Sequence, residues 1–343
     1  MTPDPRDQQI SLGNQAVILY GRGDLDGAMA LLKEEERICR QLGDLAGLAA
    51  SLDNQAFILY ARGDLDGSMA LLRGEERIYR QLRDPANLQR SLGSQALILQ
   101  GRGDLDGAMA ILKEQERICR DLVIPAGLSS SLGNQALILK ARGDLDGAMA
   151  LHEEEERICR QLGDMAGLYA SLGNQAFILQ DRGDLDGAMA LHKEEERICR
   201  QLGDMANLQR SLGSQALILR ASGDLDGAMA LHKEEERISR QLGDLANLQR
   251  SLANQAIILQ AHGDLNGAMA LYKQKERICR QLGDPANLAR SLANQALLLG
   301  LTMGRSHAAL PLAEEAFGMA SQHDLTELAE QLRPFLDQWR REE

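Results

Sequence analysis

A block of 40 residues repeats through almost the whole chain. The block Ser131–Ala170 reads SLGNQALILKARGDLDGAMALHEEEERICRQLGDMAGLYA, and the next block, Ser171–Arg210, matches it at 33 of 40 positions. The phase never slips, because glutamine occupies one position in every block: Gln15, Gln55, Gln95, Gln135, Gln175, Gln215, Gln255 and Gln295. A fixed period of this length is typical of a solenoid, in which each unit buries its apolar face against its neighbours.

Each block contains two segments whose apolar residues recur at helical spacing. One segment runs from Asp144 to Leu162 and the other from about Pro125 to Arg142. A glycine followed by an aspartate, as at Gly143 and Asp144, separates them; glycine can end one helix in the left-handed conformation and aspartate can cap the next. The pattern predicts an all-α chain built from antiparallel helix hairpins.

The ends of the repeat array can also be placed. The pattern predicts eight tandem 40-residue repeats over 5–324, of which the last is degenerate. The remaining segment, 325–343, keeps the phase but is more polar, and we expect it to form a C-terminal capping helix. Pro334 should bend this helix.

The bulk composition limits the function. The net charge of −12 and the pI of about 5.1 argue against nucleic acid as the main ligand, since phosphate binding needs a basic surface. No signal peptide or membrane span is evident, so no membrane partner and a cytoplasmic location are expected. All cysteines occupy one repeat position, where Tyr79 and Ser239 stand in other blocks, which indicates reduced, packed thiols.

The pattern Leu132, Ala136, Leu139, Gly143-Asp144, Ala148, Leu151 and Ile158 resembles the tetratricopeptide repeat. The longer unit is similar to the repeats of kinesin light chain and of bacterial STAND-type ATPases. The resemblance implies a right-handed α-solenoid, a superhelix of helix hairpins. Two departures stand out: Gln135-Ala136 replaces the usual Leu-Gly, and Glu155-Glu156 replaces the usual Ala-Leu.

A polar side chain between helices costs free energy unless it is paired. Gln135 and Glu156 each recur at their position in the full blocks. We therefore predict a structural ladder in which glutamines and glutamates of these two rows bond each other, with Arg160 joining it. The alternative is that the glutamate row is a solvated face.

Family geometry implies a concave face lined by the first helix of each repeat. The resemblance implies that an asparagine row on it binds the backbone of an extended peptide: Asn54, Asn134, Asn174, Asn254 and Asn294. Beside this row, Phe57 and Phe177 could hold apolar side chains. Arg210, Arg250 and Arg290 form a basic stripe that could accept carboxylate or phosphate, unless they pair with neighbouring carboxylates.

Signals for catalysis are missing from the sequence. It has no P-loop, no GxGxxG after a strand and no GxSxG, so we expect no catalytic residues and no enzyme activity. His152, His192 and His232 share a position with leucine and tyrosine, which indicates a packed or half-buried site. Their spacing of one repeat argues against a shared metal, and no metal or cofactor is expected.

These observations favour a protein-protein interaction scaffold that binds a peptide or protein, acidic partners included, in its groove. Two alternatives remain: a regulatory or sensor module of a larger signalling protein, and a consensus-like or designed array without a natural ligand. The chain is expected to be a monomer or a weak homodimer.

Overall fold

The fold consists of helices, and no strand occurs among residues 4–342, which the computed structural model describes. The helices, numbered α1 to α17, are Pro5–Gly21, Leu25–Leu42, Leu45–Ala61, Leu65–Leu82, Pro85–Gly101, Leu105–Asp121, Pro125–Ala141, Leu145–Leu162, Met165–Asp181, Leu185–Leu202, Met205–Ala221, Leu225–Leu242, Leu245–Ala261, Leu265–Leu282, Pro285–Leu297, Ser306–Gln322 and Thr326–Glu342. A π-helical turn, Leu298–Thr302, follows α15. The predicted all-α class is confirmed.

The contacts divide the chain into two compact units, Met1–Ile178 and Leu179–Glu343. In the first unit each helix from α1 to α8 packs on the next, and in the second unit the same holds from α10 to α17. Short connections between packed neighbours produce the expected helix hairpins. The division into eight repeats over 5–324 and a cap over 325–343 stays a prediction.

Glycine and aspartate end and begin the helices as the sequence predicts. Asp144 caps α8, since its carboxylate accepts a 2.9 Å hydrogen bond from the N–H of Gly147. Gly143 and Gly163 take the left-handed conformation, with φ of 82° and 66°. Only a residue without a Cβ adopts this conformation at little cost. These glycine and aspartate residues therefore determine where each hairpin turns.

Val123 departs from this rule and offers a stability test. It has φ of 55° at the turn before α7, where most repeats have glycine, and its side chain is 82% exposed. A β-branched residue in this region is strained by about 1–2 kcal/mol. Val123→Gly should therefore raise the free energy of unfolding by about 1 kcal/mol, measured by urea denaturation. A decrease would show that the turn is not strained.

Small and aliphatic side chains fill the interior between the helices. Leu132, Ala136, Ile158 and Cys159 are all buried in one repeat. The cysteines are free and buried, and burial raises the pKa of Cys119 to about 11. Thiols that stay protonated at neutral pH are weak nucleophiles, which agrees with a packing role.

The last helices pack around an aromatic side chain that the sequence analysis did not single out. Trp339 in α17 is 1% exposed and lies against the π-helical turn, where a Cβ on Gly300 would be 2.1 Å from its Cζ2 atom. Pro334 lies within α17, which continues through it. None of the helices between residues 4 and 342 has both the length and the apolar character needed to cross a bilayer.

Candidate functional site

One face of the first unit carries a row of exposed apolar side chains at the 40-residue period. Val17, Phe57, Leu97 and Leu137 are 59%, 56%, 48% and 42% exposed, and they belong to α1, α3, α5 and α7. Neighbouring positions on the same helices, such as Leu132 and Ala136, are buried. We call the four exposed side chains the apolar row. Phe57 is the member of this row that the sequence predicted beside the asparagine row.

Two small cavities flank Phe57. One, of about 180 Å³, is lined by Ala16, Val17, Tyr20, Leu32, Asn54, Phe57 and Ile58. The other, of about 160 Å³, is lined by Asp53, Ala56, Phe57, Tyr60, Ser68, Leu72, Ser94, Leu97 and Ile98. The rings of Tyr20 and Phe57 contact each other with centroids 5.2 Å apart. The aromatic ring thus separates two mainly apolar depressions, each suited in size to one side chain.

The predicted asparagines are half-buried, and Asn54 and Asn134 lie on the same helices as Phe57 and Leu137 of the apolar row. Asn54 lines the first cavity. Within residues 4–342, none of the asparagine side-chain amides makes a hydrogen bond to the protein. These asparagines are Asn54, Asn134, Asn174, Asn254 and Asn294. An amide with free donor and acceptor capacity can bond the backbone of an extended peptide. Phe177 is also exposed, with the ammonium of Lys140 5.4 Å from its ring centroid.

The predicted arginine stripe separates into unlike members. Arg250 donates a 3.2 Å hydrogen bond to the buried carboxylate of Glu235, so its charge is already paired. Arg210 is exposed. Arg290 is also exposed and has no ion pair among residues 4–342. The three arginines are therefore not equally available to a ligand. Arg250 pairs with a neighbouring carboxylate, as the alternative interpretation of this stripe predicted.

The glutamine and glutamate rows meet between successive repeats. The Nε2 atom of Gln135 donates to Glu116 at 2.8 Å, and Gln175 donates to Glu156 at 2.7 Å. The same bond, at 2.7–2.9 Å, joins Gln55, Gln95, Gln215, Gln255 and Gln295 to the glutamate of the preceding repeat. These bonds give each buried glutamine amide an acceptor. Without one, burial of the amide would cost free energy.

Arginines extend these contacts to the next repeat. Arg120 contacts Glu116 on its own helix at 2.8 Å and Glu154 of the next repeat at 2.9 Å. Arg160 donates to Glu156 at 2.8 Å. Each glutamate therefore accepts from both an arginine and a glutamine, so neighbouring repeats are held in register by charge-assisted hydrogen bonds.

A second polar row, one residue earlier in the helix, is buried and was missed by the sequence analysis. Its members are Glu35, Glu75, Gln115, Glu155, Glu195, Glu235 and Lys275. The carboxylate of Glu155 lies close to Gly133. A Cβ atom added to Gly133 would be only 2.5 Å from Glu155 Oε1. The recurring glycine in the middle of the first helix was the available signal, since a mid-helix glycine often permits a close approach.

Three histidines pair with this buried row. The Nδ1 atom of His152 lies 2.7 Å from Glu155 Oε2, and that of His232 lies 2.8 Å from Glu235 Oε2. His192 pairs with Glu195 in the same way. All three rings are fully buried, as the interchange with leucine and tyrosine at this position indicated. Tyr272 occupies the same position in a later repeat, where it is also buried and its hydroxyl donates a 2.7 Å hydrogen bond to Gln260.

A polar cavity of about 350 Å³ opens beside this row in the first unit. It is lined by Ala46, Ala50, Asp53, Asn54, Glu75, Tyr79, Asp84, Asn87, Arg90, Ser91 and Ser94. Glu75 is 3% exposed, and burial together with the charge of Asp53 raises its pKa to about 7. A 2.9 Å hydrogen bond from Ser91 and the charge of Arg90 oppose that shift.

The lining of this cavity is rich in carboxyl and hydroxyl groups. Its three carboxyl groups, those of Asp53, Glu75 and Asp84, have no histidine among the residues that line the cavity with them. Within the described part of the chain, no group of three or more histidine, cysteine, aspartate or glutamate side chains is placed to hold a metal ion. The first helices, by contrast, present half-buried asparagine amides and exposed apolar side chains with unused binding capacity.

Comparison with known proteins agrees with the repeat pattern. The family model described as tetratricopeptide repeat matches residues 10–34. No curated protein matches the chain significantly. The STAND protein with a tetratricopeptide repeat sensor from Pyrococcus horikoshii has a TM-score of 0.72 at 14% identity, over 94% of this chain and 48% of that one. This chain therefore spans about half of that protein's length.

Two further solved structures share the fold. The nearly identical repeats of a putative kinesin light chain from Podosopora anserina give a TM-score of 0.50 at 20% identity, over 58% of this chain and 98% of that one. A Rap protein complexed with Competence and Sporulation Factor gives 0.53 at 13% identity, over 99% of both chains. The chain thus matches the tetratricopeptide repeat in sequence at residues 10–34 and has the fold of tetratricopeptide-repeat proteins, kinesin-light-chain repeats and a STAND sensor among them.

Proposed function

We propose that this chain is a non-enzymatic interaction module whose first unit binds an extended peptide along the apolar row. The observation that carries this proposal is the exposure of Phe57 between two depressions of about 180 and 160 Å³. An exposed aromatic side chain beside side-chain-sized cavities is a common anchor of protein interfaces. Alternate side chains of an extended peptide point the same way, so two can enter the two cavities.

The asparagines supply the second part of the recognition. Asn54 and Asn134 lie half-buried on the same face and make no hydrogen bond to the protein within the described residues. A side-chain amide can donate to a peptide carbonyl and accept from a peptide N–H at the same time. Such contacts hold the backbone of a partner independently of its sequence, while the cavities select its apolar side chains.

The chemistry of the face also disfavours a nucleic-acid partner. The side chains that line its two cavities are apolar or neutral apart from the acidic Asp53, whereas binding to a nucleic-acid backbone requires clustered positive charge. The fold is shared with a Rap protein whose structure holds Competence and Sporulation Factor, and with the tetratricopeptide repeat sensor of a STAND protein. These neighbours support a role in interaction.

Removing the aromatic anchor should weaken peptide binding. Peptides are selected from a displayed random library on the intact protein, and their affinity is measured by fluorescence polarisation. Phe57→Ser should weaken the selected peptides by about 10- to 100-fold, because it removes the apolar wall of both cavities. Asn54→Ala should weaken them by about 3- to 10-fold through the loss of hydrogen bonds.

The control is Leu162→Ser, which removes an apolar side chain that is 43% exposed at the end of α8. This variant should bind the selected peptides as the unchanged protein does. Circular dichroism of all variants checks that helicity is preserved. Equal binding by Phe57→Ser and by the unchanged protein would contradict the proposal, as would a loss shared by the control.

A further inference from the structure

The buried polar row reverses its charge at its last member. Six of its positions carry glutamate or glutamine, from Glu35 to Glu235, and the seventh carries Lys275. Lys275 is only 6% exposed. A buried ammonium is costly unless an anion or several acceptors accompany it. The change therefore converts a site that holds a carboxylate into one that needs a carboxylate or another anion.

The preceding repeat shows what the exchange removes. There Glu235 accepts hydrogen bonds from His232 at 2.8 Å and from Arg250 at 3.2 Å. One repeat later, Lys275 replaces Glu235 and Arg290 replaces Arg250. Within residues 4–342, neither Lys275 nor Arg290 makes an ion pair or a side-chain hydrogen bond. Two cations thus stand where the preceding repeat has an internal salt bridge.

These two cations influence each other. Burial lowers the pKa of Lys275, and the positive charge of Arg290 lowers it further, against opposing effects of Cys279 and Asp284. An anion bound between two like charges relieves their repulsion and stabilises the charged form of the lysine. The arrangement therefore favours an anionic ligand by electrostatics as well as by the unused donors.

Both cations line an open cavity of about 570 Å³ in the second unit. The other lining residues are Asn294, Asp324, Leu325, Thr326, Glu327, Leu328 and Gln331. Thr326–Leu328 form the first turn of α17, a helix of 17 residues. The N–H groups of a first turn have no acceptor within their own helix, and they attract anions. This cavity therefore combines two cations with a helix N-terminus.

Two acidic residues, Asp324 and Glu327, also line the cavity. Both are exposed, whereas Lys275 is buried. Exposed charges are screened by water and salt more strongly than buried ones. Their repulsion of an anion is therefore weaker than the attraction of the buried ammonium.

We propose that this cavity binds a phosphoryl group, held by Lys275, Arg290, Asn294 and the first turn of α17. A phosphate monoester carries about −1.5 to −2 charges at pH 7 and has three acceptor oxygens. A dianion therefore compensates both cations, whereas a single carboxylate leaves one of them unpaired. The site lies in the second unit and is independent of the peptide face proposed for the first unit.

The test measures binding of inorganic phosphate to the intact chain by calorimetry at constant ionic strength. We expect phosphate to bind at least about tenfold more tightly than acetate, because it forms more charge-assisted hydrogen bonds. A short capped phosphoserine peptide and its unphosphorylated form identify the source of the group. Preferential binding of the phosphopeptide assigns an ester, and binding of inorganic phosphate alone assigns the free ion. Equal affinity for phosphate and acetate would overturn the proposal.

Lys275→Glu should abolish phosphate binding, since it restores the glutamate–arginine pair seen at Glu235 and Arg250. That precedent also indicates that the variant folds. Lys273→Glu is the matched control, because it makes the same charge change at an exposed position of α14. Arg290→Ala, at an exposed position, is an independent second variant, and it should lower the affinity for phosphate by about tenfold or more. Equal phosphate affinity of the Lys275→Glu and Lys273→Glu variants would show that only net charge matters.

Discussion

Replacing Trp339 with alanine is expected to destabilise the packing of α17 by about 3–5 kcal/mol. Trp339 is fully buried among Ala296, Ala309, Leu310 and Leu336. Its ring also stacks on Phe335 with centroids 5.7 Å apart. An alanine leaves a large cavity that the short helices around it cannot close. Because terminal elements of a repeat array open locally, the effect should appear first in α17.

Hydrogen exchange of the α17 amides measures this loss directly. The Trp339→Ala variant should exchange these amides far faster, while amides in the first unit keep their protection. Asp337→Ala, at an exposed position of the same helix, serves as the control. Unchanged protection of α17 in the Trp339→Ala variant would contradict the assignment of Trp339 as the anchor of this helix.

A double-mutant cycle sharpens the same test. In the unchanged protein, Gly300→Ala should destabilise, because the added methyl would lie 2.1 Å from Trp339 Cζ2. In the Trp339→Ala background the methyl has room, so its cost should shrink or change sign. The coupling between the two changes then reports the contact itself. Additive effects would show that the two residues do not touch.

Replacing Glu75 with glutamine is expected to stabilise the protein at alkaline pH and to have little effect in acid. Burial and the nearby Asp53 raise the pKa of Glu75 to about 7 in the folded chain. In the unfolded chain its pKa is near 4.5, so the folded state binds the proton more tightly. This contribution to stability is fully present below pH 4.5 and is lost as the pH rises through 7. A shift of this size corresponds to about 3 kcal/mol.

Glutamine keeps the hydrogen-bonding shape of the protonated acid but does not titrate. Gln115 already occupies the equivalent buried position one repeat later. Urea denaturation from pH 4 to pH 8.5 should therefore show the Glu75→Gln variant gaining about 3 kcal/mol over the unchanged protein toward pH 8. Glu153→Gln, which removes an exposed carboxylate, is the control. A stability difference that does not depend on pH would contradict the assigned shift.

The architecture could be predicted from the sequence because the repeat encodes each hairpin with the same local signals. Gly143 and Asp144 mark one turn, and apolar residues at helical spacing mark the helices on either side. These signals act within a few residues, so reading them needs no knowledge of the fold. The π-helical turn at Leu298–Thr302 lies in the degenerate repeat and has no such local signature.

The candidate site could be predicted only in part, since it depends on contacts between repeats. The glutamine row was predicted from its recurrence and the asparagine row from the resemblance to the tetratricopeptide repeat, but the sequence could not separate Arg250 from Arg290. That difference arises because Arg250 meets a buried glutamate and Arg290 meets Lys275. Each of these partners lies 15 residues earlier in the chain, on the preceding helix. Only the packing of one helix on the next reveals which charges are paired.

The most direct test of the peptide-binding face is a map of where a selected peptide lies on the protein. A photo-reactive amino acid is placed at successive positions of the peptide, and the crosslinked residues are identified by mass spectrometry. We expect crosslinks near Val17, Phe57, Leu97 and Leu137, with successive peptide positions advancing from α1 toward α7. Crosslinks confined to the exposed faces of α2, α4, α6 and α8 would contradict it.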